Sequence, residues 1–467
     1  MSENGFNSIR FPLSAPALLN SNENGPRPNL NLLHNYMNPE LVNSTTSLGL
    51  VQNITRALQV HKVSVLLDIH TLADTAKDPL WYRGAYTNIE STAVYQALSL
   101  LAETMCSDTY WNVLGVDLKN EPFMADWKAT DIAPEKDWHA AATALGNMVV
   151  SKCPSWLVFV EGVGSLNYPA DFHQISATDT RLYGDWHGAN FRSALANPVT
   201  LNLPNKVVWS PHVYSHGVYP QNYFFTPDSQ CSYNENSAET LCREFLNGNP
   251  LTTPLHSCSP SKVSCSTYKH LSPAVLKANV ESTMDGMFGT AGVDVNAPPI
   301  VLGEFGGGYG ANQPRQSLVT DAIIDRIRSS WSGGYFWALN PDSEYYLEDS
   351  LNGHSGIFPR THYGLMHLND WEKPHEDLLM ALKRLPTTEF PCFGKEEPVE
   401  PTDVVDPTDA VHPTDVEDTT DVASQDPTPA SPSAVKEEPT DASNPPDASN
   451  SLQVSFLVLL PIAVLLI

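Results

Sequence analysis

The sequence predicts an α/β barrel, and two stretches together with the chain length carry that expectation. In residues 113–122, VLGVDLKNEP, the apolar Val113, Leu114, Val116 and Leu118 with no internal proline have the pattern of a strand buried on both faces, and the run stops at Asn120 and Glu121. Residues 299–308, PIVLGEFGGG, repeat the arrangement, with Ile300, Val301 and Leu302 leading to Glu304. Barrels of parallel strands place their chemistry at the C-terminal strand ends, so two glutamates far apart in sequence can converge at one mouth. A chain of 467 residues has room for one such barrel plus appendages.

Two converging carboxyl groups suit glycosidic hydrolysis, in which one protonates the departing oxygen while the other attacks carbon or activates water. Taken singly, each glutamate is an ordinary strand-to-turn junction. The two motifs do not occur singly, however. They stand in order with GFNSIRFP, LLDIH, PHVY and YFWALNPDS, and the series extends through DPLWY, LVFVEGVGSLNY, DWHGANF, VVWSPHVYSHGVYPQ and HLNDW. In these motifs, over residues 5–375, the chain resembles glycoside hydrolase family 5, and within it the bacterial-type endo-β-1,4-glucanases. The resemblance implies a (β/α)8 TIM barrel and a retaining, endo-acting β-glycosidase that cleaves β-1,4-glucan by double displacement. Glu121 would be the acid/base and Glu304 the nucleophile, with no cofactor and no metal. Within the family β-1,3-glucan or β-mannan are alternative substrates, because the motifs encode neither sugar nor linkage. Outside it, the alternative is a catalytically impaired glucan-binding protein at the cell surface.

In chain order, GFNSIRFPLS is strand-like from the start and corresponds, by the resemblance, to the second strand of the barrel. The first strand and a secretion signal are therefore expected upstream of Met1, since residues 1–10 contain no apolar signal core. Arg10 closes this first strand, and the resemblance gives it the role of supporting the nucleophile carboxylate. Residues 20–50, rich in Asn, Pro and Ser, read as a long loop over the mouth, and 47–61 as a helix. The strand KVSVLLDIH delivers Asp68 and His70, the latter matching a histidine beside the −1 sugar. Trp81 in DPLWYRGAY is read either as a sugar platform or as loop core. Helical spacing over 88–108 and 138–152 ends at Cys106 and Cys153, two positions at equal height on adjacent barrel helices where a bridge is plausible.

Glu161, at the end of SWLVFVEG, is a third strand-end carboxylate. Family position argues against a catalytic role for it and assigns it to support. Trp186 in YGDWHGANFR is expected to be a platform. In NKVVWSPHVYSHG, His212 and Tyr214 alternate and so project to one side; the resemblance sets both against the two glutamates, with the Tyr hydroxyl on the nucleophile. Residues 217–298 hold Cys231, Cys242, Cys258 and Cys265 and read as a disulfide-stapled insertion followed by a helix over 273–287. The last strand, GGYFWALNP, presents Trp337, matched to the platform under the −1 sugar, and Asn340. Residues 342–370 depart from the family pattern and put cleft shape in doubt on that side.

Residues 1–393 thus form the catalytic barrel, 394–452 a linker and 453–467 an apolar tail. From Glu396 to Asn450 there are fifteen Asp and Glu against one Lys, so half of the net charge of −27 belongs to this segment. Pro-Thr-Asp recurs at 401, 407, 413 and 439, a composition that cannot bury a core. No basic stripe is present, which argues against nucleic acid as a partner. Residues 454–467 carry no charge, fall short of a spanning helix and follow small polar residues, the pattern of a GPI-attachment signal, with a retained tail anchor as the alternative. With the sequons at Asn43 and Asn53, a monomer at the cell surface or outside the cell is expected, binding a β-glucan.

Overall fold

The structure, a computed structural model, describes residues 1–21, 44, 46–73, 78–129, 133–164, 186–218, 224, 230–233, 263–267, 271–288, 297–341, 343–346, 360–387 and 463–466. The linker, most of the loop expected over 20–50, the sequon at Asn43, Cys242, Cys258, residues 342 and 347–359 of the divergent 342–370 segment and the tail before residue 463 lie outside them. Met1–Phe390 and Ser455–Ile467 form one compact unit, and Pro391–Val454 is a second.

The strands are β1 (Ser8–Ser14), β2 (Ser64–Thr71), β3 (Val113–Asp117), β4 (Leu157–Val160), β5 (Val207–Trp209), β6 (His212–Tyr214), β7 (Gln230–Tyr233), β8 (Val263–Thr267), β9 (Val301–Gly306), β10 (Gly333–Phe336), β11 (Ser343–Tyr346), β12 (Arg360–Tyr363), β13 (Met366–His367), β14 (Asp370–Pro374) and β15 (Ala463–Leu466). The helices are α1 (Ala15–Leu19), α2 (Ser47–Gln59), α3 (Ala93–Met105), α4 (Trp138–Lys152), α5 (Pro273–Phe288), α6 (Pro314–Ser330) and α7 (Glu376–Leu382). The main sheet runs β5-β4-β3-β2-β1-β15-β10-β9-β6. β1 to β5 pair in parallel, as do β6, β9 and β10. Pro211 interrupts the run 207–214, so β5 and β6 are two halves of one staff; a parallel bridge from Trp209 to Ile300 joins it to the strand leading into β9. The ring therefore has seven parallel positions, and the eighth, between β1 and β10, is filled by β15.

β15 runs antiparallel to both neighbours, with Ile9 opposite Val464 and Tyr335 opposite Leu465. Part of the tail expected to be a membrane-attachment signal is thus a strand of the sheet. The physical reason is plain: β1 and β10 would otherwise present unpaired edges, and an apolar, uncharged run satisfies them. Among the described residues no helix is long and apolar enough to cross a membrane.

The inward face of the ring changes character along its length. Leu66, Phe159, Val208, Val301 and Tyr335 form an apolar plug at one end. Two residues further on, and thus on the same face, stand Asp68, Glu161, Ser210 and Trp337. Outside, α3 packs through Val94, Ala97, Leu98, Leu101 and Met105, buried at helical spacing, and is started by the Thr92 hydroxyl accepting from Tyr95 N at 3.2 Å. α4 is capped by Asp137, accepting from Ala140 N at 2.8 Å. The cysteines that end these two helices are joined, Cys106 to Cys153, with their Cα atoms 5.7 Å apart.

Candidate active site

The polar ends of the inward-facing positions meet around one buried guanidinium. Arg10, fully buried on β1, donates from Nε to Asp117 Oδ2 at 3.0 Å and from Nη1 to Glu304 Oε1 at 2.7 Å. Its Nη2 donates to Asn120 Oδ1 and Glu161 Oε1, both at 3.0 Å, and lies 3.1 Å from Asp68 Oδ2. A planar fork of five N–H groups suits this many-sided demand, which a point-like ammonium does not.

His212 stands between the two strand-end glutamates. Its Nδ1 is 3.2 Å from Glu121 Oε1 and 3.5 Å from Glu304 Oε2, and carboxylate oxygens of the two glutamates lie within 4.8 Å of one another. The Tyr214 hydroxyl donates to Glu304 Oε2. His70 Nδ1 is 2.7 Å from Asp68 Oδ2, and its ring stacks on Trp337 with centroids 5.3 Å apart and planes 6° from parallel. Trp337 follows β10, partly exposed, and its peptide bond to Ala338 is cis. Asn340 is buried beyond it, its backbone against Gly364. Arg10, His70, Asn120, Glu121, His212, Tyr214, Glu304 and Trp337 are thus gathered at one end of the ring.

Two expected platforms are not platforms. Trp81 is 1% exposed, its ring 5.4 Å from that of Trp138, so of the two readings open for it the structure takes loop core. Trp186 is 2% exposed and lies edge-on to Phe224. A ring buried on both faces offers nothing for a sugar to stack on. The neighbour of Trp186 does reach the site: His187 Nδ1 is 3.7 Å from Glu121 Oε2, and its ring stacks on Phe123. His187, Asp117 and Lys119 were not singled out by sequence. For Asp117 and Lys119 a signal existed, since they alternate with the outward Val116 and Leu118 and continue to Glu121 at period two. For His187 there was none, because a loop has no periodicity.

The charges of this interior are mutually dependent. Burial lowers Arg10, but the carboxylates of Asp68, Asp117, Glu304 and Glu161 more than reverse this. Burial pushes Asp117 up to about 6, against the pull of Arg10, and Glu161 up to about 8, against His212 and Arg10. Asp68 goes the other way: Arg10 and His70 overcome its burial and hold it below the usual range. His212 is raised, Glu161 and Glu304 outweighing its burial. Burial lowers Lys119, whose ammonium donates to the carbonyl of Asn120. Asp117, Glu161 and His212, or Glu121, His212 and Glu304, are close enough to share a cation. Arg10 already fills that role, its nitrogens within 3.0 Å of Asp117, Glu161 and Glu304.

A family model described as Cellulase (glycosyl hydrolase family 5) matches residues 1–343. The chain is 27% identical over 384 residues to the major extracellular endoglucanase of Xanthomonas campestris, covering 82% of this chain and 60% of that protein. It is 25% identical over 382 residues to an endoglucanase of Paenibacillus polymyxa, covering 80% and 73% respectively. Among solved structures, an endocellulase of Pyrococcus horikoshii in complex with cellotetraose superposes with a TM-score of 0.56 at 26% identity, over 82% of this chain and 83% of that one. The catalytic domain of the Xanthomonas endoglucanase gives a TM-score of 0.54 at 25% identity, over 82% and 84%.

Proposed function

The chain belongs to glycosyl hydrolase family 5, the cellulase family, and on that premise we propose that it cleaves internal β-1,4 bonds of a glucan with retention at the anomeric carbon. Glu304 attacks C1 as the Glu121 proton passes to the departing oxygen; the C1–O bond breaks and a glycosyl ester on Glu304 forms. Water then gives a proton back to Glu121 while its oxygen bonds to C1, releasing Glu304. The observation that carries this reading is the close approach of the two carboxylates, whose nearest oxygens lie within 4.8 Å of each other. Retaining glycosidases hold them at about 5–5.5 Å, whereas inverting ones leave about 6.5–9.5 Å for a water. Arg10 and Tyr214 fix both oxygens of Glu304, and the partly exposed Trp337 is the sugar platform beneath the reacting ring.

Glu304→Gln should abolish turnover of soluble cellulose. With an activated aryl glucoside, azide should rescue Glu304→Ala and yield the α-azide, and rescue Glu121→Ala and yield the β-azide. Wild-type rates in Glu304→Gln would refute the nucleophile. Reducing-end release from cellulose, mannan and laminarin fixes the substrate; turnover of none of them would favour a glucan-binding protein.

The related extracellular endoglucanase supports a location outside the cell, and the uncharged 454–467 run supports a GPI tether. A mature chain either keeps Ala463–Leu466 as β15 or loses it with the signal. Intact mass measurement of the C-terminal peptide, with release by phosphatidylinositol-specific phospholipase C, separates the two.

A further inference from the structure

Glu161, placed by family position outside the catalytic pair, has contacts that exceed a general supporting role. It follows β4, is fully buried, and its backbone is fixed by Trp138 Nε1 donating to its carbonyl at 2.7 Å. Its Oε2 accepts from the backbone N of Glu121 at 2.7 Å. Glu121 is one of three described non-glycine residues with a left-handed backbone, at φ 49°, a conformation that costs an L residue energy unless something holds it. The other oxygen, Oε1, is 3.0 Å from Arg10 Nη2 and 3.1 Å from His212 Nε2. The loop from β4 is shaped to admit this carboxylate: a Cβ on Gly188, where φ is 77°, would stand 2.3 Å from Glu161 Oε2.

We propose that Glu161 is a positioning residue for both strand-end glutamates, one carboxylate that sets the Glu121 backbone, the charge of the ring touching Glu121 and Glu304, and the pose of the guanidinium holding Glu304. It rests on the glycosidase reading given above. The groups facing the Glu161–His212 pair are Arg10 from β1, Asp68 from β2, Asp117 and Lys119 from β3 and its extension, Glu121 beyond them, and Glu304 from β9. The oxygens of Glu161 accept from Glu121 N and Arg10 Nη2, and carboxylate oxygens face both nitrogens of His212, Glu161 Oε1 at 3.1 Å from Nε2 and Glu121 Oε1 at 3.2 Å from Nδ1. The proton of the pair therefore sits on His212, in keeping with the raised pKa of that ring, and these contacts offset the burial that pushes Glu161 up. An imidazolium directs Nδ1–H at Glu121 Oε1. The hydrogen that Glu121 transfers is then carried on Oε2, on the side of His187. Without Glu161 the carboxylate 3.1 Å from Nε2 is lost, and the ring is free to lose its charge or reverse its tautomer.

The test uses the full chain labelled with 15N-histidine, His212 being assigned from a His212→Gln difference spectrum. In the wild type both ring nitrogens should remain protonated from pH 5 to 8. In Glu161→Gln the ring should titrate inside that window, kcat should fall on the order of 10²-fold with KM changed little, and kcat should gain an ionisation that the wild type lacks. Glu161→Asp, which keeps the charge, should restore the pH profile but not the full rate. A wild-type His212 that loses a proton between pH 5 and 8, or a Glu161→Gln variant with the wild-type pH profile, overturns the proposal. Should Glu161→Gln not fold, the wild-type spectrum decides alone. That spectrum needs no turnover, so its outcome is separate from a failure to cleave any glucan.

Discussion

Replacing Arg10 by lysine keeps a positive charge in the same place and removes only the fork, which makes it a direct test of how the site is held. The guanidinium satisfies five acceptors, on Asp68, Asp117, Asn120, Glu161 and Glu304, at 2.7–3.1 Å. An ammonium has three donors, so at least two acceptors lose their partner. Hydrogen bonds to charged groups are each worth about 1.5–3 kcal/mol, which gives a loss of about 3–6 kcal/mol. With an unfolding entropy of about 2.1 cal/mol/K per residue, a unit built on Met1–Phe390 changes Tm by about 1 °C per kcal/mol. Arg10→Lys should therefore melt about 4–7 °C below the wild type, and Glu304, released from Nη1, should cost kcat on the order of 10²-fold. Arg10→Met should be worse, because four buried carboxylates would then lose the guanidinium they share. Thermal unfolding by circular dichroism and kcat on soluble cellulose measure both quantities. A lysine variant within 1 °C of the wild type and within threefold in kcat would show that charge alone holds the site, and would refute the reasoning.

Tyr214→Phe removes one donor to Glu304 and should lower kcat about 10- to 100-fold with a wild-type melting curve; an unchanged rate would remove Tyr214 from the mechanism. Substituting Cys106 and Cys153 together by serine opens a loop of 47 residues, worth about 4 kcal/mol in the chain-entropy picture, so urea unfolding should show a loss of about 2–4 kcal/mol. Stability should fall from pH 5 to pH 8, read as Tm: Asp117 is raised, so its cost grows as pH passes the unfolded value near about 4, and the raised His212 contributes stability that is lost with rising pH. Asp68, held low, adds the opposite loss below about pH 4, and a Tm that climbs steadily from 5 to 8 would contradict the sign. In β7 and β8 Cys231 stands opposite Cys265, so a non-reducing peptide map should join these two.

What could be read from the sequence follows from where periodicity exists. A strand that is apolar at its start and polar at its end states both its direction and its buried face. Ile9 and Arg10, Leu66 to His70, and Val208 to Tyr214 were therefore legible as parts of one mouth before any coordinate. Residues 113–122 were legible only in part: reading them as buried on both faces found Glu121 but passed over Asp117 and Lys119, because an interior that accommodates charge around an arginine breaks the rule that buried means apolar. The tryptophans failed for a different reason. A loop aromatic carries no phase, and whether its ring faces a cleft or a core depends on distant partners, here Trp138 for Trp81 and Phe224 for Trp186.

The same distinction explains the one feature of the ring that no local pattern encoded. The run 454–467 reads as apolar and uncharged, which states that it leaves water but not where it goes. Lipid and an unpaired sheet edge both take such a segment, the second because its backbone groups also find partners. Between β1 and β10 the backbone supplies those partners at Ser8 to Arg10 and Gly334 to Phe336, and direction is the mismatch, since β15 runs antiparallel to both neighbours in a ring of seven parallel positions. Strand direction is set by connection and not by composition, so a tail arriving from residue 390 onward is free to enter either way. If pairing holds the site end of the ring together, deleting residues 453–467 should lower the melting temperature and raise hydrogen exchange at Ile9 and Tyr335 more than at Val116, which lies between β2 and β4. Equal exchange at all three positions would mean that β15 contributes nothing to the closure of the ring.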